Sequence, residues 1–387
     1  MGSFFRLILK AQFTRIFLLE LSFVSILNPI VIQAHANETL KIAIIDNLKY
    51  EKFSTEIYLQ DYFKGIAAGE ALFSLQGIQT KIKHFNFDKK PLAVIQAAKE
   101  ARKWNPDVVI GPRSSDLFLL LKPEFENILV ISPLASASAV FEMGDNFYSI
   151  SPPNDSYAKA MTNFVKKYYP ARDIQPIIEA DCKSCVDWNE QFQKVFNSSK
   201  PGVILKDANF FLSAEVETIP VENLIKGSNS KSLFLIPNKA FTSGTLMGRI
   251  SNYFKSNETV FIGADGWGER RTGHAGKYQT PYLYKGYYLN PFSIEKTDPE
   301  VQEFLSHIQS TDNKTPAATI SLITYKTMSA IEISYRVGMK KQTAKERILS
   351  GFKKQTKKDK EIFRPTKFSV FEIDQTGERF KEFVQLN

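Results

Sequence analysis

The sequence predicts an α/β protein built as two doubly wound lobes, each a parallel sheet flanked by helices. Three observations carry this prediction. From Leu40 onward, short apolar runs alternate with amphipathic stretches, the pattern of strands and helices that wind a parallel sheet. The alternation pauses after Tyr169 and begins again at Ile174, so the chain runs through it twice. Finally, 387 residues exceed what one hydrophobic core usually organises.

Leu40 to Ile45 (LKIAII) is a near-continuous apolar run and reads as a buried strand. Ser54 to Leu75 carries apolar residues at helical spacing, with Ser54 or Thr55 as cap and Gly77 as stop. A strand at 80–85 follows, then a helix at 91–104 with Pro91 in its first turn, then a strand at 107–110 (DVVI). A short helix at 115–122, a strand at 128–132, an extended stretch at 147–150 and a helix at 156–169 complete the first run. The second run has strands at 174–179, 203–206, 232–236 and 259–262, and helices at 187–196, 221–226 and 244–254. A strand at 282–289, helices at 299–309 and 317–337, and a late strand at 367–373 with a polar tail close the chain. Lys340 to Lys360 is the weakest stretch for structure.

Residues 1–36 read differently. Arg6, Lys10 and Arg15 give a basic start, Ile16 to Ile32 is mostly apolar, and Ala34-His35-Ala36 has the small-x-small pattern of a signal-peptidase site. The expectation is export to the periplasm with cleavage after Ala36. A retained anchor is the alternative, since the run is about long enough to span a bilayer, although Glu20, Asn28 and Pro29 interrupt it. The two cysteines, Cys182 and Cys185, lie far from this segment, which argues against a lipoprotein anchor.

Formal net charge is +9, yet eleven Lys and Arg stand against three acidic residues between Lys340 and Lys367, so the remainder is close to neutral. Such a segment is either a solvated surface or a contact for anionic lipid or an acidic partner, and export argues against nucleic acid. Nothing points to catalysis. His84, His274 and His307, the histidines after the leader, show no metal spacing, and neither a G-x-S-x-G elbow nor a phosphate loop is present. No cofactor or metal is expected. Cys182-Lys183-Ser184-Cys185 falls between a strand and a helix, where a low-pKa thiol can work. A thioredoxin-like unit needs its own compact core, however, so the expectation is a local disulfide stiffening a loop, with a thiol redox protein as the alternative.

In open parallel sheets, ligands sit outside the carboxyl ends of the strands. Arg113, Ser114 and Ser115 follow such an end and open a helix. Backbone N–H groups, the helix dipole, serine hydroxyls and the Arg113 fork together suit a carboxylate. Helix capping by Ser114 or Ser115, with Arg113 in water, is the plainer alternative. In the second run, Asp181 and Asp265 follow strands and can pair with a cationic group, with Trp188 and Trp267 nearby. A tryptophan face suits a cation or an apolar side chain, or simply packs in a core. Arg270 and Arg271 share the Asp265 loop; turned inward, they would favour an acidic distal end on the ligand.

Gly111-Pro112-Arg113-Ser114-Ser115 and Ile131-Ser132-Pro133-Leu134-Ala135-Ser136, followed in order by Pro153-Asn154-Asp155, Gly263-Ala264-Asp265-Gly266 and the helix segment Tyr325 to Ala330, resemble the motif series of the type I periplasmic binding proteins. The resemblance is to their leucine/isoleucine/valine- and amide-binding group and covers nearly all of the chain after the leader. It implies two Rossmann-like lobes joined by a three-segment hinge, at about 37–153 plus 288–352 and 154–287 plus 353–387. It also implies a monomer that binds an amino acid or related amide for an ABC permease, or for a membrane sensor or envelope partner. By that resemblance the Ala135 carbonyl accepts from an α-ammonium and Ser136, in place of the usual Thr, donates to the α-carboxylate. Two departures bear on the ligand. The first-strand loop is Asp46-Asn47-Leu48-Lys49-Tyr50-Glu51, bulky and charged where relatives often read T-G-P-x-S-G, and Arg113 stands where a smaller residue is common.

Overall fold

The computed structural model describes residues 38–47, 54–88, 90–199, 204–264, 267, 284–291, 299–309, 319–359, 363–364, 367–374 and 377–385. The leader, Leu48 to Glu51, Asp265, Arg270 and Arg271 lie outside the described residues.

The first sheet contains β1 (Thr39–Asp46), β2 (Gln79–Asn86), β3 (Val108–Ile110), β4 (Leu129–Ser132) and β5 (Phe147–Ser149) in the order β2-β1-β3-β4-β5, all parallel. Successive side chains point to opposite faces, so Leu40, Ile42 and Ile44 of β1 enter one core and Ala43 and Ile45 the other. On the first face lie α1 (Ser54–Leu75) and three helices from much later in the chain. On the opposite face are α2 (Pro91–Trp104) and the single turn α3 (Ser115–Phe118).

The second sheet contains β6 (Ile174–Glu179), β7 (Asn209–Phe211), β8 (Leu233–Leu235), β9 (Val260–Gly263), β10 (Lys285–Asn290), β11 (Lys367–Asp374) and β12 (Gly377–Gln385), ordered β12-β11-β10-β9-β8-β6-β7. It is parallel from β7 to β10, with β11 and β12 added as an antiparallel pair. One face packs on α4 (Asn154–Tyr168) and α5 (Lys183–Ser198) through Phe164, Trp188 and Phe192. The other packs on α6 (Val221–Leu224) and α7 (Ala240–Phe254) through Leu246, Ile250 and Trp267. β10 stays with this sheet through Asn290, past the expected boundary at 287.

The late helices α8 (Pro299–Gln309), α9 (Thr319–Val337) and α10 (Ala344–Lys358) return to the first sheet, bringing Phe304, Ile323, Ile331 and Phe352 into its core. The chain therefore passes between the sheets three times: after β5, after β10 and before β11. Close helix packing depends on missing side chains. A Cβ at Gly65 or Gly69 of α1 would run into Ser321 and Met328 of α9, and one at Gly351 of α10 would overlap the Ser334 carbonyl of α9.

Three stretches differ from the sequence expectation. Lys340 to Lys360, read as weak, contains α10. Its start is a reciprocal capping box: the Thr343 hydroxyl accepts from the Glu346 amide at 3.2 Å and the Glu346 carboxylate accepts from the Thr343 amide at 3.3 Å. The tail, read as polar, forms β12, an edge strand paired antiparallel with β11. The strand expected at 203–206 is reduced to one bridge, Ile174 to Leu205, and the pairing with β6 passes to β7. No helix of the described residues is long and apolar enough to cross a membrane.

Candidate functional site

The carboxyl ends of β1 and β3 set the first-lobe side of the site. Gly111 turns the chain after β3 with φ of +84°, and a Cβ there would come within 2.5 Å of the Ile45 carbonyl oxygen, so glycine is required. The turn carries Arg113 back to the end of β1. Its Nε meets Asp46 Oδ2 at 2.5 Å, and Nη2 donates to Asp46 Oδ1 and to the Asn47 carbonyl, each at 3.3 Å. The guanidinium lies 5.0 Å from the centre of the Tyr62 ring, and Arg113 and Asp46 are only 8% and 3% exposed. The Nε and Nη2 side of the Arg113 fork, expected to meet a ligand carboxylate, thus faces a carboxylate of the protein itself. A buried guanidinium needs a counter-charge, and the first-strand loop supplies one in Asp46.

Serines join this turn to the next. The buried Ser115 hydroxyl accepts from the amides of Ser136 at 3.0 Å and Ala137 at 3.1 Å. Ser132 donates to the Pro112 carbonyl at 2.7 Å and accepts from the Ala135 amide at 3.1 Å. Ser115 keeps one proton to donate. Ser114 is exposed and precedes α3 without a side-chain capping bond, so neither serine acts as the simple side-chain cap. Ala135 is wholly buried and Ser136 nearly so; the Ser136 carbonyl accepts from the Asn154 amide at 2.9 Å, fixing this loop to the start of α4. The structure thus brings Arg113, Ser115, Ala135 and Ser136 into one interlocked unit.

On the second lobe, Asp181 is exposed beyond β6 and accepts from the Ser213 amide at 2.9 Å and hydroxyl at 2.7 Å. Burial acts to raise its carboxyl, but the Ser213 bonds outweigh it and hold Asp181 below the usual carboxylate range. Glu179, the last residue of β6, was missed. It is 0% exposed; its Oε1 lies 2.7 Å from Lys239 Nζ and 2.5 Å from the Ser213 hydroxyl. Its Oε2 has no hydrogen-bond partner among the described residues. Asn238 ties the ends of β6 and β8 together, accepting from the Glu179 amide and donating to the Ile177 carbonyl, both at 2.9 Å. The signal was an acid following the apolar Pro176-Ile177-Ile178 at the end of β6, a place where a lone carboxylate needs partners from neighbouring strand ends.

Trp267 does not offer a face to a ligand. It is 0% exposed, donates from Nε1 to the Ile236 carbonyl at 3.1 Å, and its ring fills the space beside Gly263, so its role is core packing. Trp188 is likewise buried, stacked on Phe192.

The lobes meet at the first turn of α5. Asp187 Oδ2 accepts from the Ser138 amide at 3.0 Å and from Asn154 Nδ2 at 2.6 Å, and the Ser184 carbonyl accepts from Asn154 Nδ2 at 3.4 Å. Asp116 of α3 accepts from the Lys183 amide; burial pushes its carboxyl up while the charges of Lys183 and Lys239 pull it back. Cys182 and Cys185 are joined by a disulfide inside this same turn, so the segment that touches the first lobe is cross-linked.

No family model matches the sequence, and no curated protein matches it by sequence. Solved structures do match. The chain is similar to the branched-chain amino acid transporter substrate-binding protein LivJ from Streptococcus pneumoniae, solved with isoleucine: TM-score 0.70, 13% identity, 90% of this chain and 100% of that one. The leucine-binding protein LivK from Thermotoga maritima gives 0.68 and 16%, covering 89% and 99%. A solute-binding protein of an ABC transporter from Rhodopseudomonas palustris HaA2, solved with p-hydroxybenzoic acid, gives 0.69 and 13%, covering 90% and 98%. The chain has the type I periplasmic binding protein fold. Asp116 of α3 is close enough to Lys183 and Lys239 of the second lobe to feel their charges.

Proposed function

We propose that the protein is an extracytoplasmic solute-binding protein that captures a small polar ligand between its lobes for an ABC permease and performs no chemistry of its own. The observation that carries this reading is the buried carboxylate of Glu179, at the carboxyl end of β6, with one oxygen lacking a donor among the described residues. An orphaned buried carboxylate oxygen is costly, and a ligand N–H or ammonium relieves that cost. Solved neighbours carrying isoleucine or p-hydroxybenzoic acid support a ligand of that size.

In this reading Ser114, Ser115, Ala135 and Ser136 meet the ligand from the first lobe, and Glu179, Asp181 and Asp265 from the second. Arg113 positions the first-lobe loops. With its fork committed to Asp46, a ligand oxygen is met by serine hydroxyls, so the ligand class is an amino acid or related amide carrying both an N–H donor and an oxygen acceptor. Closure then selects the liganded state through contacts made only when the lobes approach. We assign the lobes to 37–153 plus 291–352 and 154–290 plus 353–387. Export by the leader with cleavage after Ala36 places the protein in the periplasm as a monomer, with no nucleic acid partner. A membrane sensor in place of the permease would read the same closed form.

Native mass spectrometry of the protein purified from the envelope is expected to show one small molecule per chain. Glu179→Gln is expected to weaken its retention by about 10- to 100-fold, the value of a hydrogen bond to a charged group. Unchanged retention would remove Glu179 from the site.

A further inference from the structure

We propose that the lysine face of α10 docks on anionic phospholipid headgroups and holds the first lobe against a membrane surface. Ala344, Arg347, Ile348, Gly351 and Phe352 turn this helix toward the core. On its other side Lys353, Lys354, Lys357 and Lys358 are exposed, and the preceding loop exposes Lys340 and Lys341. None of these six has an ion pair among the described residues, and the carboxylate of Glu346 is engaged in the capping box.

The local structure does not need this much charge. Lysines in the last turn complement the helix dipole, which accounts for Lys357 and Lys358. Lys353 and Lys354 stand four residues before them, and like charges at that spacing destabilise a helix. The residue type selects among partners. Lysine is a compact, strongly hydrated point charge on a flexible stem, whereas arginine suits bidentate pairing with individual carboxylates. A field of lysines therefore fits the diffuse negative potential of a bilayer better than a protein surface of discrete acids.

Glu38 accepts from the Ala344 amide at 2.8 Å, and its other oxygen pairs with Arg347, so the chain enters the fold at the first turn of α10. The segment preceding Glu38 carries the basic start and the apolar run that handle the membrane during export. While that segment is attached, Lys341, whose carbonyl accepts from the same Arg347 that pairs with Glu38, lies nearest the tether, with Lys353 to Lys358 at the far end of α10, and one apolar anchor plus a polybasic patch makes a stable attachment. Once it is removed, the lysines alone give a weak, salt-sensitive association.

The test is flotation of the protein, as purified from the envelope, with vesicles of phosphatidylcholine alone or mixed with phosphatidylglycerol. Binding is expected to the mixed vesicles and to fall steeply with salt, as the screening length shrinks from about 10 Å at 0.1 M to about 3 Å at 1 M. Combining Lys353→Gln, Lys354→Gln, Lys357→Gln and Lys358→Gln is expected to lower partitioning roughly fivefold per lysine. Lys99→Gln with Lys103→Gln, on α2 across the sheet, is expected to leave it unchanged. Equal binding to both vesicle types, an equal loss with the α2 pair, or no effect of the α10 substitutions overturns the proposal. No binding to the mixed vesicles also overturns it and turns attention to an acidic protein partner.

Discussion

Arg113→Ala is expected to lower stability by about 3–5 kcal/mol, the cost of leaving one member of a buried ion pair without its partner. Asp46 would be left buried with both oxygens deprived of guanidinium donors, since Nε and Nη2 together serve Oδ2 and Oδ1. Arg113→Lys is expected to recover little, because an ammonium cannot reproduce two fixed donors and a stacked plane. Replacing both members at once, Asp46→Asn with Arg113→Met, removes the stranded charge and is expected to recover most of the loss. The readout is the urea midpoint at unchanged slope. A loss within about 0.5 kcal/mol, the ordinary range for surface substitutions, would show that the pair is solvated.

Gly351→Ala is expected to be nearly as severe, about 3 kcal/mol, at the upper end of the range for overpacking. The added methyl would overlap a main-chain carbonyl, that of Ser334, so a rotamer change cannot relieve it and α9 must move away from α10. α9 is the helix that brings Ile323, Met328 and Ile331 into the first-lobe core, so its displacement is transmitted to that core. Ser350→Ala, one residue away and half-buried, is the control and is expected to change stability little. Equal midpoints for Gly351→Ala and wild type would show that the helices do not approach so closely.

The alternation of strands and helices was legible because apolar runs at two periods reveal which segments are buried, and Pro91 to Trp104 and Ile174 to Glu179 fall where the sequence puts them. α10 escaped because its lysine face lowers the average apolarity of the whole stretch, although Thr343, Glu346 and the spacing of Ala344, Ile348 and Phe352 were sufficient signals. The site was less legible. Periodicity assigns residues to elements but gives no partners, and the decisive partners are remote: Arg113 and Asp46 are 67 positions apart, Glu179 and Lys239 are 60 apart. Ser115 read as a ligand donor or a helix cap, whereas the geometry uses its hydroxyl, with that of Ser132, to join two loops. Trp267 stood beside a candidate acid in the sequence, yet its large apolar ring is driven into the second core.

The most direct measurement is a calorimetric titration of the protein, freed of co-purified ligand by unfolding and refolding, with amino acids, their amides, short peptides and aromatic carboxylates. One compound class is expected to bind one per chain and to raise the melting temperature, with a gain of about 2.7 kcal/mol at a hundredfold over its dissociation constant. A refolded protein that binds none of these compounds would contradict its assignment as a solute receptor.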